Sequence, residues 1–181
     1  MTAHAVAIVA TVVLCAPLHL AAQPAAADPA EFTLARNAHV RAIGSEASRI
    51  LVQAVQLSPT VAQMVSALEE TDLIVIVETR CLPRLVHGLV QVQAGTRTRR
   101  YLRLSLGVPS TDSELLAVLG HELRHCLELA SLPHVRDNES LARAYQRIGY
   151  SVAKGGYFET TAALAAGDQV GREVAAALAR R

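Results

Sequence analysis

The chain has 181 residues, of which 51% are hydrophobic and only 3% aromatic, with no tryptophan, so its core must be built from Ala, Val and Leu. Its 17 Lys and Arg side chains nearly balance its 16 Asp and Glu side chains, which gives a formal net charge of +1. This balance argues against a nucleic-acid or acidic-polymer partner, and the length favours a single domain.

The first thirty residues differ in composition from the rest of the chain. They contain no Lys, Arg or Glu, and an apolar run from Ala5 to Leu14 is followed by a proline and then by small residues. This pattern is typical of a secretory signal peptide, with Ala22 or Ala27 as the residue before the cut. We therefore predict a signal peptide over residues 1–27 and a single exported domain, periplasmic or secreted, over residues 28–181. The alternative is an uncleaved N-terminal anchor, although the run is short for a bilayer span. Unless that segment stays uncleaved, we expect no contact between the mature chain and a membrane.

Removal of the signal peptide would leave two cysteines, Cys81 and Cys126, in the mature chain. In an oxidising compartment these two can form a disulfide. A sequence does not give the distance between them, so two separate buried thiols remain the alternative.

Two helices are predicted before the first strand. The stretch that follows Gly44 predicts a helix with Ser45 as its N-cap. Ser58 and Pro59 predict the N-cap and the first residue of a second helix, because proline lacks the N–H that would be unpaired at that position.

Three strands are predicted next. Leu73 to Val77 is a run of β-branched and leucine side chains typical of a buried strand. Leu85–Gln93 and Arg100–Leu106 both alternate between apolar and polar residues, and we expect them to form a hairpin. Four arginines lie around this hairpin and are expected to be solvated: Arg97, Arg99, Arg100 and Arg103.

Three helices follow the strands. Thr111 and Glu114 have the spacing of a capping box, which predicts a helix that begins near Asp112. A further helix is predicted from about Asp137, and a last one from about Tyr157 to the C-terminus. The order predicts an α+β fold with a small, mostly antiparallel sheet of about three strands, covered on one face.

The first of these three helices carries the sequence HELRH, His121 to His125. Four residues advance an α-helix by about 40° and 6 Å, so the two imidazoles project from one face and can share a metal ion. Glu122 is turned by about 100° from His121, so it is better placed to reach a water beside the ion than the ion itself. This spacing is what metal-assisted hydrolysis requires, since the carboxylate can take a proton from water and pass it to a leaving amine. The alternative is a pair of core histidines without a metal.

On the motif HELRH, the chain resembles the zincin metallopeptidases, in which a sheet precedes an active-site helix that bears HExxH. In size it is closest to the small gluzincins, called minigluzincins, and the resemblance covers about Leu73 to the C-terminus. It implies a zinc cofactor, Zn²⁺, bound by both histidines, with Glu122 as general base. It also implies a peptide or protein substrate aligned on the edge strand of the sheet, which would be Leu85–Gln93 or Arg100–Leu106, and a third zinc ligand that is a glutamate from a later helix.

Two glutamates near the motif are weaker choices for that third ligand. The metzincin continuation HExxHxxGxxH is absent, because position 128 is Glu and position 131 is Ser. Glu128 lies about 10.5 Å further along the helix axis than His121, so it is better placed to support His125 from behind. Glu139 falls in the first turn of its helix, where the helix dipole already favours an acid.

Glu159 is the preferred third ligand. Counting by three and four from Glu159 along the predicted last helix gives a small apolar stripe of Ala163, Ala166, Val170, Val174 and Ala177. A carboxylate on such a stripe costs several kcal/mol unless it is paired or bound to a metal. We therefore predict His121, His125 and Glu159 as metal ligands and Glu122 as the catalytic residue, with the other two glutamates as alternative ligands.

Two tyrosines, Tyr150 and Tyr157, flank the glycine pair that precedes Glu159. A hydroxyl there can stabilise the oxyanion of a tetrahedral intermediate, or it can simply cap an edge of the core. Together these features predict an exported zinc metallohydrolase, specifically a small peptidase. The alternative is a non-catalytic metal-binding or interaction domain that keeps a zincin-like frame.

Overall fold

The computed structural model describes residues 10–11, 38–83, 85–107, 111–153 and 157–180. The predicted signal peptide, residues 1–27, lies outside these ranges except for Ala10 and Thr11. Within the described ranges the chain forms seven strands and five helices. In chain order they are β1 (Ala10–Thr11), β2 (Val40–Ala42), α1 (Ser45–Leu57), α2 (Pro59–Glu69), β3 (Leu73–Arg80), β4 (Gly88–Gly95), β5 (Arg100–Gly107), α3 (Asp112–Ala130), α4 (Asn138–Ile148), β6 (Tyr150–Ala153), β7 (Tyr157–Glu159) and α5 (Thr161–Leu178).

The main sheet has four strands in the order β2-β3-β5-β4. β2 and β3 are parallel, β3 and β5 are parallel, and β4 pairs antiparallel with β5. The predicted α+β class is confirmed, but the prediction of a mostly antiparallel sheet of about three strands is wrong, because the sheet is mixed and has four strands. Parallel neighbours need a long crossover, which α1 and α2 supply between β2 and β3. β2 has only three residues, too few to produce an alternating pattern in the sequence.

The predicted hairpin is confirmed, with Gly88 of β4 opposite Leu106 of β5. β5 is nevertheless an interior strand, because it also pairs with β3. β4 is therefore an edge of the main sheet, and among the described residues no further strand of that sheet pairs with its other side.

A second, small sheet contains β1, β7 and β6 in that order. Its β7 occupies residues that were predicted to begin the last helix, so that prediction is wrong. α5 begins only at Thr161, after Thr160, whose side chain accepts a hydrogen bond from the backbone N–H of Ala163. Tyr157 and Phe158 favour a strand, and threonine is a good N-cap, which explains why the helix starts later than the apolar pattern suggested.

The N-caps of the other helices follow the sequence except at α1. Ser58 caps α2, and Thr111 forms the predicted capping box with Glu114 at the start of α3. Ser45, predicted as an N-cap, is instead the first residue of α1, and Gly44 precedes it with a φ of 87°, a conformation that favours glycine. Among the described helices, none alone is long and apolar enough to cross a membrane, and α1 with α2 passes that test only as a pair bent by 111°.

α3 is the central helix of the fold, in contact with the main sheet on one side and with α5 on the other. Leucines of β5 and of α3 form the middle of the core: Leu102, Leu104, Leu106, Leu115, Leu119 and Leu123. Two glycines allow α3 and α5 to approach closely. A Cβ at Gly120 would lie 2.5 Å from Val170, and a Cβ at Gly167 would lie 3.2 Å from the Cβ of His121.

Arg100 is buried, with 1% of its surface exposed, although the sequence predicted a solvated side chain. Its Nε and Nη2 each donate to a carboxylate oxygen of Asp72 at 2.7 Å. Its Nη1 donates to the carbonyls of Leu129 and Leu132 at 2.9 Å and of Val135 at 3.2 Å. The guanidinium thus binds the carbonyl of Leu129 in the last turn of α3 and the carbonyls of Leu132 and Val135 in the loop that follows, and it fixes this segment to β5.

Cys81 and Cys126 do not form a disulfide. Cys81 is exposed at the end of β3 and Cys126 is buried in α3, and both are free thiols. The alternative of separate thiols therefore holds, although only Cys126 is buried.

We expect Asp72→Asn to destabilise the fold, because it leaves the buried Arg100 without its anion. The expected loss is only about 1–2 kcal/mol, because Asp72 is itself partly exposed to solvent. Hydrogen bonds from Arg100 lower the pKa of Asp72, so the stabilisation is present above the unfolded pKa of about 3.9 and is lost as the pH falls through the lower folded value. Urea unfolding at neutral and acid pH measures this. The difference between wild type and variant should shrink in acid, whereas the exposed Asp168→Asn control should stay within about 0.5 kcal/mol of wild type at neutral pH.

Candidate metal centre

His121, Glu122 and His125 lie in the middle of α3, four turns of which are buried against the rest of the fold. The capping box sets where this helix begins. The side chain of Thr111 accepts a hydrogen bond from the backbone N–H of Glu114, and the Glu114 carboxylate accepts one from the backbone N–H of Thr111 at 2.8 Å. Because the start fixes the helical phase, both imidazoles face the junction of β7 and α5. Glu159, the last residue of β7, meets them there.

Three side chains converge at this junction. The Nε2 atoms of His121 and His125 are 3.1 Å apart, Nε2 of His121 is 3.2 Å from Oε2 of Glu159, and Nε2 of His125 is 3.3 Å from Oε1 of Glu159. Ligands that lie about 2.0–2.1 Å from a tetrahedral metal ion are about 3.3–3.4 Å from one another. The spacing of the three groups is therefore close to that of a coordination sphere, and the cluster can hold a metal ion.

The protons of the cluster also suit a cation. Nδ1 of His125 lies 2.9 Å from Oε2 of Glu128 and donates to that carboxylate. In the neutral imidazole, Nε2 then carries a lone pair that faces the carboxylate of Glu159, and two acceptors repel each other at that distance. A positive charge between them removes the repulsion, whether it is a proton or a metal ion.

Contacts within the cluster shift the pKa values of His125 and Glu159, and both shifts favour the charged form of the group. Burial alone would lower the pKa of His125, but hydrogen bonds with Glu128 and Glu159 raise it to about 9. Burial alone would raise the pKa of Glu159, but its contacts with both imidazoles lower it to about 2. The site therefore favours an ionised Glu159 and a positive charge beside it.

Glu128 connects His125 to the segment that carries Glu159. Besides the bond with His125, its Oε1 accepts from the hydroxyl of Thr160 at 2.7 Å, and its Oε2 accepts from the hydroxyl of Tyr145 at 3.2 Å. Thr160 directly follows Glu159 and caps α5. One carboxylate thus fixes the orientation of one imidazole and the position of the segment that supplies the third group.

Tyr145, on α4, completes this arrangement. Its hydroxyl lies 3.0 Å from Nδ1 of His125, and the two rings meet edge to face with centroids 5.2 Å apart. Thr160 adds a further bond, from its backbone N–H to Oε1 of Glu159 at 2.8 Å. The ring of His125 and the carboxylate of Glu159 are therefore both held before any ion binds.

Glu122 differs from the other acids of the site because its carboxylate has no hydrogen-bonding partner. Both of its oxygens are buried and unpaired, and burial raises the pKa of this group. Its side chain lies against Gly88 at the start of β4, where a Cβ would be only 2.3 Å from Oε1 of Glu122. A buried carboxylate without a partner costs free energy, so Glu122 is not explained by a contribution to stability.

The structure brings His121, His125 and Glu159 together and places Glu122 beside them, while the two alternative ligands lie elsewhere. Glu128 contacts the far nitrogen of His125, and Glu139 is exposed and paired with Arg143. Glu159 reaches the cluster from a strand, so the reason given for it, a place on a helical stripe, is wrong.

The predicted tyrosines are not the ones that contact the site. Among the described residues, Tyr150 and Tyr157 form no hydrogen bond with the cluster, whereas Tyr145 and Thr160 do. Both missed residues carry a weak signal in the sequence. Tyr145 lies on the buried face of α4 with Leu141, and a buried tyrosine hydroxyl usually needs a partner. Thr160 lies directly before an apolar helical run, as an N-cap does.

No family model, no curated protein and no solved structure matches the chain.

We expect Glu128→Ala to weaken the binding of a divalent metal by about 10–100-fold, because it frees both the ring of His125 and the Thr160 segment. Glu128→Gln keeps an acceptor for His125 and should lose less. Metal affinity measured by competition with a chromophoric chelator checks this, with Glu139→Ala as a surface control. Equal affinities for Glu128→Ala and the control would show that Glu128 does not orient the ligands.

Proposed function

We propose that the chain is an exported, zinc-dependent hydrolase, specifically a small peptidase that cleaves amide bonds. The observation that carries the proposal is the convergence of His121, His125 and Glu159 at coordination spacing, with the unpaired carboxylate of Glu122 next to them. Two imidazoles, one carboxylate and an adjacent free acid are the groups that metal-assisted hydrolysis uses.

Zinc is the ion that this set of donors supports best. Two histidine nitrogens and one glutamate oxygen form a known catalytic zinc site, in which a fourth position is left for water or substrate. When bound, zinc acts as a Lewis acid and makes water a nucleophile at neutral pH. In this chain His121, His125 and Glu159 would hold the ion, with His125 oriented by Glu128 and Tyr145.

Glu122 would move the proton. Its carboxylate has no other partner, so it can accept a proton from the attacking water and deliver it to the leaving amine. Burial raises the pKa of Glu122, which supports this role because a raised pKa makes the carboxylate a stronger base.

The resemblance to zincins supports a substrate aligned along β4. In that family the edge strand of the sheet aligns the substrate backbone, and β4 is an edge of the main sheet here. Its first residue, Gly88, touches Glu122. A peptide paired with β4 would therefore pass the proposed catalytic carboxylate, whereas the interior strand β5 has no free side.

Burial of the cluster favours a second candidate function. His121, Glu122, His125 and Glu159 are each at most 1% exposed. Structural metal sites are closed, whereas catalytic sites keep an open position. A non-catalytic domain that binds a metal on a zincin-like frame is therefore the alternative, and the two are separated by hydrolysis.

Glu122→Gln should keep the bound zinc and lower the rate of peptide hydrolysis by about 10²–10⁴-fold, because the amide cannot take up the proton. The full-length chain is expressed and purified, its zinc content is measured by elemental analysis, and hydrolysis is measured with a broad library of fluorogenic peptides. His121→Ala should lose both, and Glu139→Gln, a surface acid, should lose neither. Zinc binding without hydrolysis in the wild type would refute the peptidase and support the binding domain, whereas a wild type that retains no zinc would refute both.

Gly88→Ala should also impair hydrolysis, by at least about tenfold, while zinc content stays unchanged. The new methyl group would lie 2.3 Å from Oε1 of Glu122 and must displace that carboxylate. Zinc binding should not change, because Glu122 is not one of the three proposed metal ligands. Gly95→Ala, on the same strand, is the matched control, since its nearest contact would be an ordinary 3.7 Å. Equal rates for the two variants would argue against a catalytic position for Glu122.

A further inference from the structure

Asn138, the first residue of α4, pairs with both backbone polar groups of Val92 on β4. Its Oδ1 accepts from the N–H of Val92 at 2.9 Å, and its Nδ2 donates to the carbonyl of Val92 at 3.2 Å. An asparagine side chain that makes both bonds occupies the place that a residue of a neighbouring strand would take. The side of β4 that faces away from β5 is therefore closed at Val92.

The rest of that side remains open. The carbonyl of His87 accepts a hydrogen bond from the N–H of Gly107 on β5, so the backbone polar groups of His87 point inward, towards β5. Along an antiparallel strand, such residues alternate with residues whose N–H and carbonyl point outward, away from the partner strand. Gly88, Val90 and Val92 consequently face outward. Within the described ranges, the outward N–H and carbonyl groups of Gly88 and Val90 have no hydrogen-bonding partner.

Two features make the closure at Val92 firm. Asn138 is positioned by the capping box of Asp137 and Ser140 at the start of α4, and Arg136 donates to the carbonyl of Thr96 beyond the end of β4. The pairing of β4 with β5 is also irregular directly after Val92, between Val92 and Ala94. An added strand therefore has backbone partners on β4 only over Gly88 to Val90, which is about 7 Å.

The open part of the edge suits an extended peptide. Within the described ranges, the two-residue strand Ala10–Thr11 comes near β4 while it pairs with β7, and it belongs to the segment that the proposed export would remove. An added strand is most stable when antiparallel. It would then run towards Glu122 as it approaches Gly88, and the residues on the N-terminal side of the cleaved bond would lie along Gly88 to Val90.

We propose that Asn138 limits substrate recognition by ending the peptide-binding edge at Val92, so that about three residues on the N-terminal side of the cleaved bond pair with β4. This inference rests on the proposed function. The preferred substrates are extended peptides whose recognition on that side is complete within those three residues. Longer N-terminal extensions must leave the sheet at α4 and add no further pairing.

A nested series of peptides tests this. A peptide cleaved by the wild type is extended to between one and six residues before the cleaved bond, and kcat/KM is measured for each length. In the wild type the value should rise up to about three residues and then stay level. In Asn138→Ala it should rise further between three and five residues, by about three- to tenfold, because the backbone groups of Val92 become available.

Two further variants guard against a general effect on folding. Asn138→Asp still accepts from the N–H of Val92 but cannot donate to its carbonyl, so an intermediate profile is expected. Glu139→Ala changes an exposed neighbour on the same turn and should keep the wild-type plateau. The same series, bound to zinc-loaded Glu122→Gln protein and followed by fluorescence anisotropy, should show the same plateau in affinity.

The outcomes separate this inference from the proposed function. A wild type that cleaves peptides with a rate that rises steadily up to six residues, with an identical profile in Asn138→Ala, would overturn the role of Asn138 and leave the peptidase standing. A wild type that binds zinc and cleaves no peptide would overturn the proposed function, and this inference with it.

Discussion

The charge inside the site is the constraint on which the rest of the structure depends. Two carboxylates, Glu122 and Glu159, and two imidazoles are almost completely buried, and Glu128 lies beside them with part of its side chain exposed. A buried carboxylate is costly unless a positive charge or hydrogen bonds compensate for it. Glu128 and Glu159 receive hydrogen bonds from Thr160, but Glu122 receives none. The arrangement is balanced when a cation lies between the imidazoles and Glu159.

The local part of the site could be predicted because it depends on one helix. The four-residue spacing of His121 and His125 and the capping box at Thr111 determine a common face, whatever the rest of the chain does. Buried leucines likewise identified β5 and the core face of α3. These features follow from helix and strand geometry over fewer than ten residues.

Features that involve distant segments were harder to predict. The three residues of β2 form a strand because β3 lies beside them, and nothing within so short a stretch indicates it. Arg100 has the charge of a surface residue, yet it is buried because Asp72 and the end of α3 supply acceptors for all of its sides. Glu159 was predicted from its place on a helical stripe, whereas it lies at the end of β7 and reaches the cluster because the next helix begins at Thr161 rather than at Tyr157.

The close contact of α3 with α5 has a consequence for the order in which the molecule is completed. His121 touches Gly167, and Gly120 touches Val170, so the helix that presents the imidazoles is enclosed by the last helix of the described chain. A chain emerging from its N-terminus therefore exposes both histidines until its final segment arrives. The cluster of His121, His125 and Glu159 is therefore complete only after the last helix has docked. Under the proposed function, metal binding would follow that docking, and the ions of the compartment in which it occurs would compete for the site.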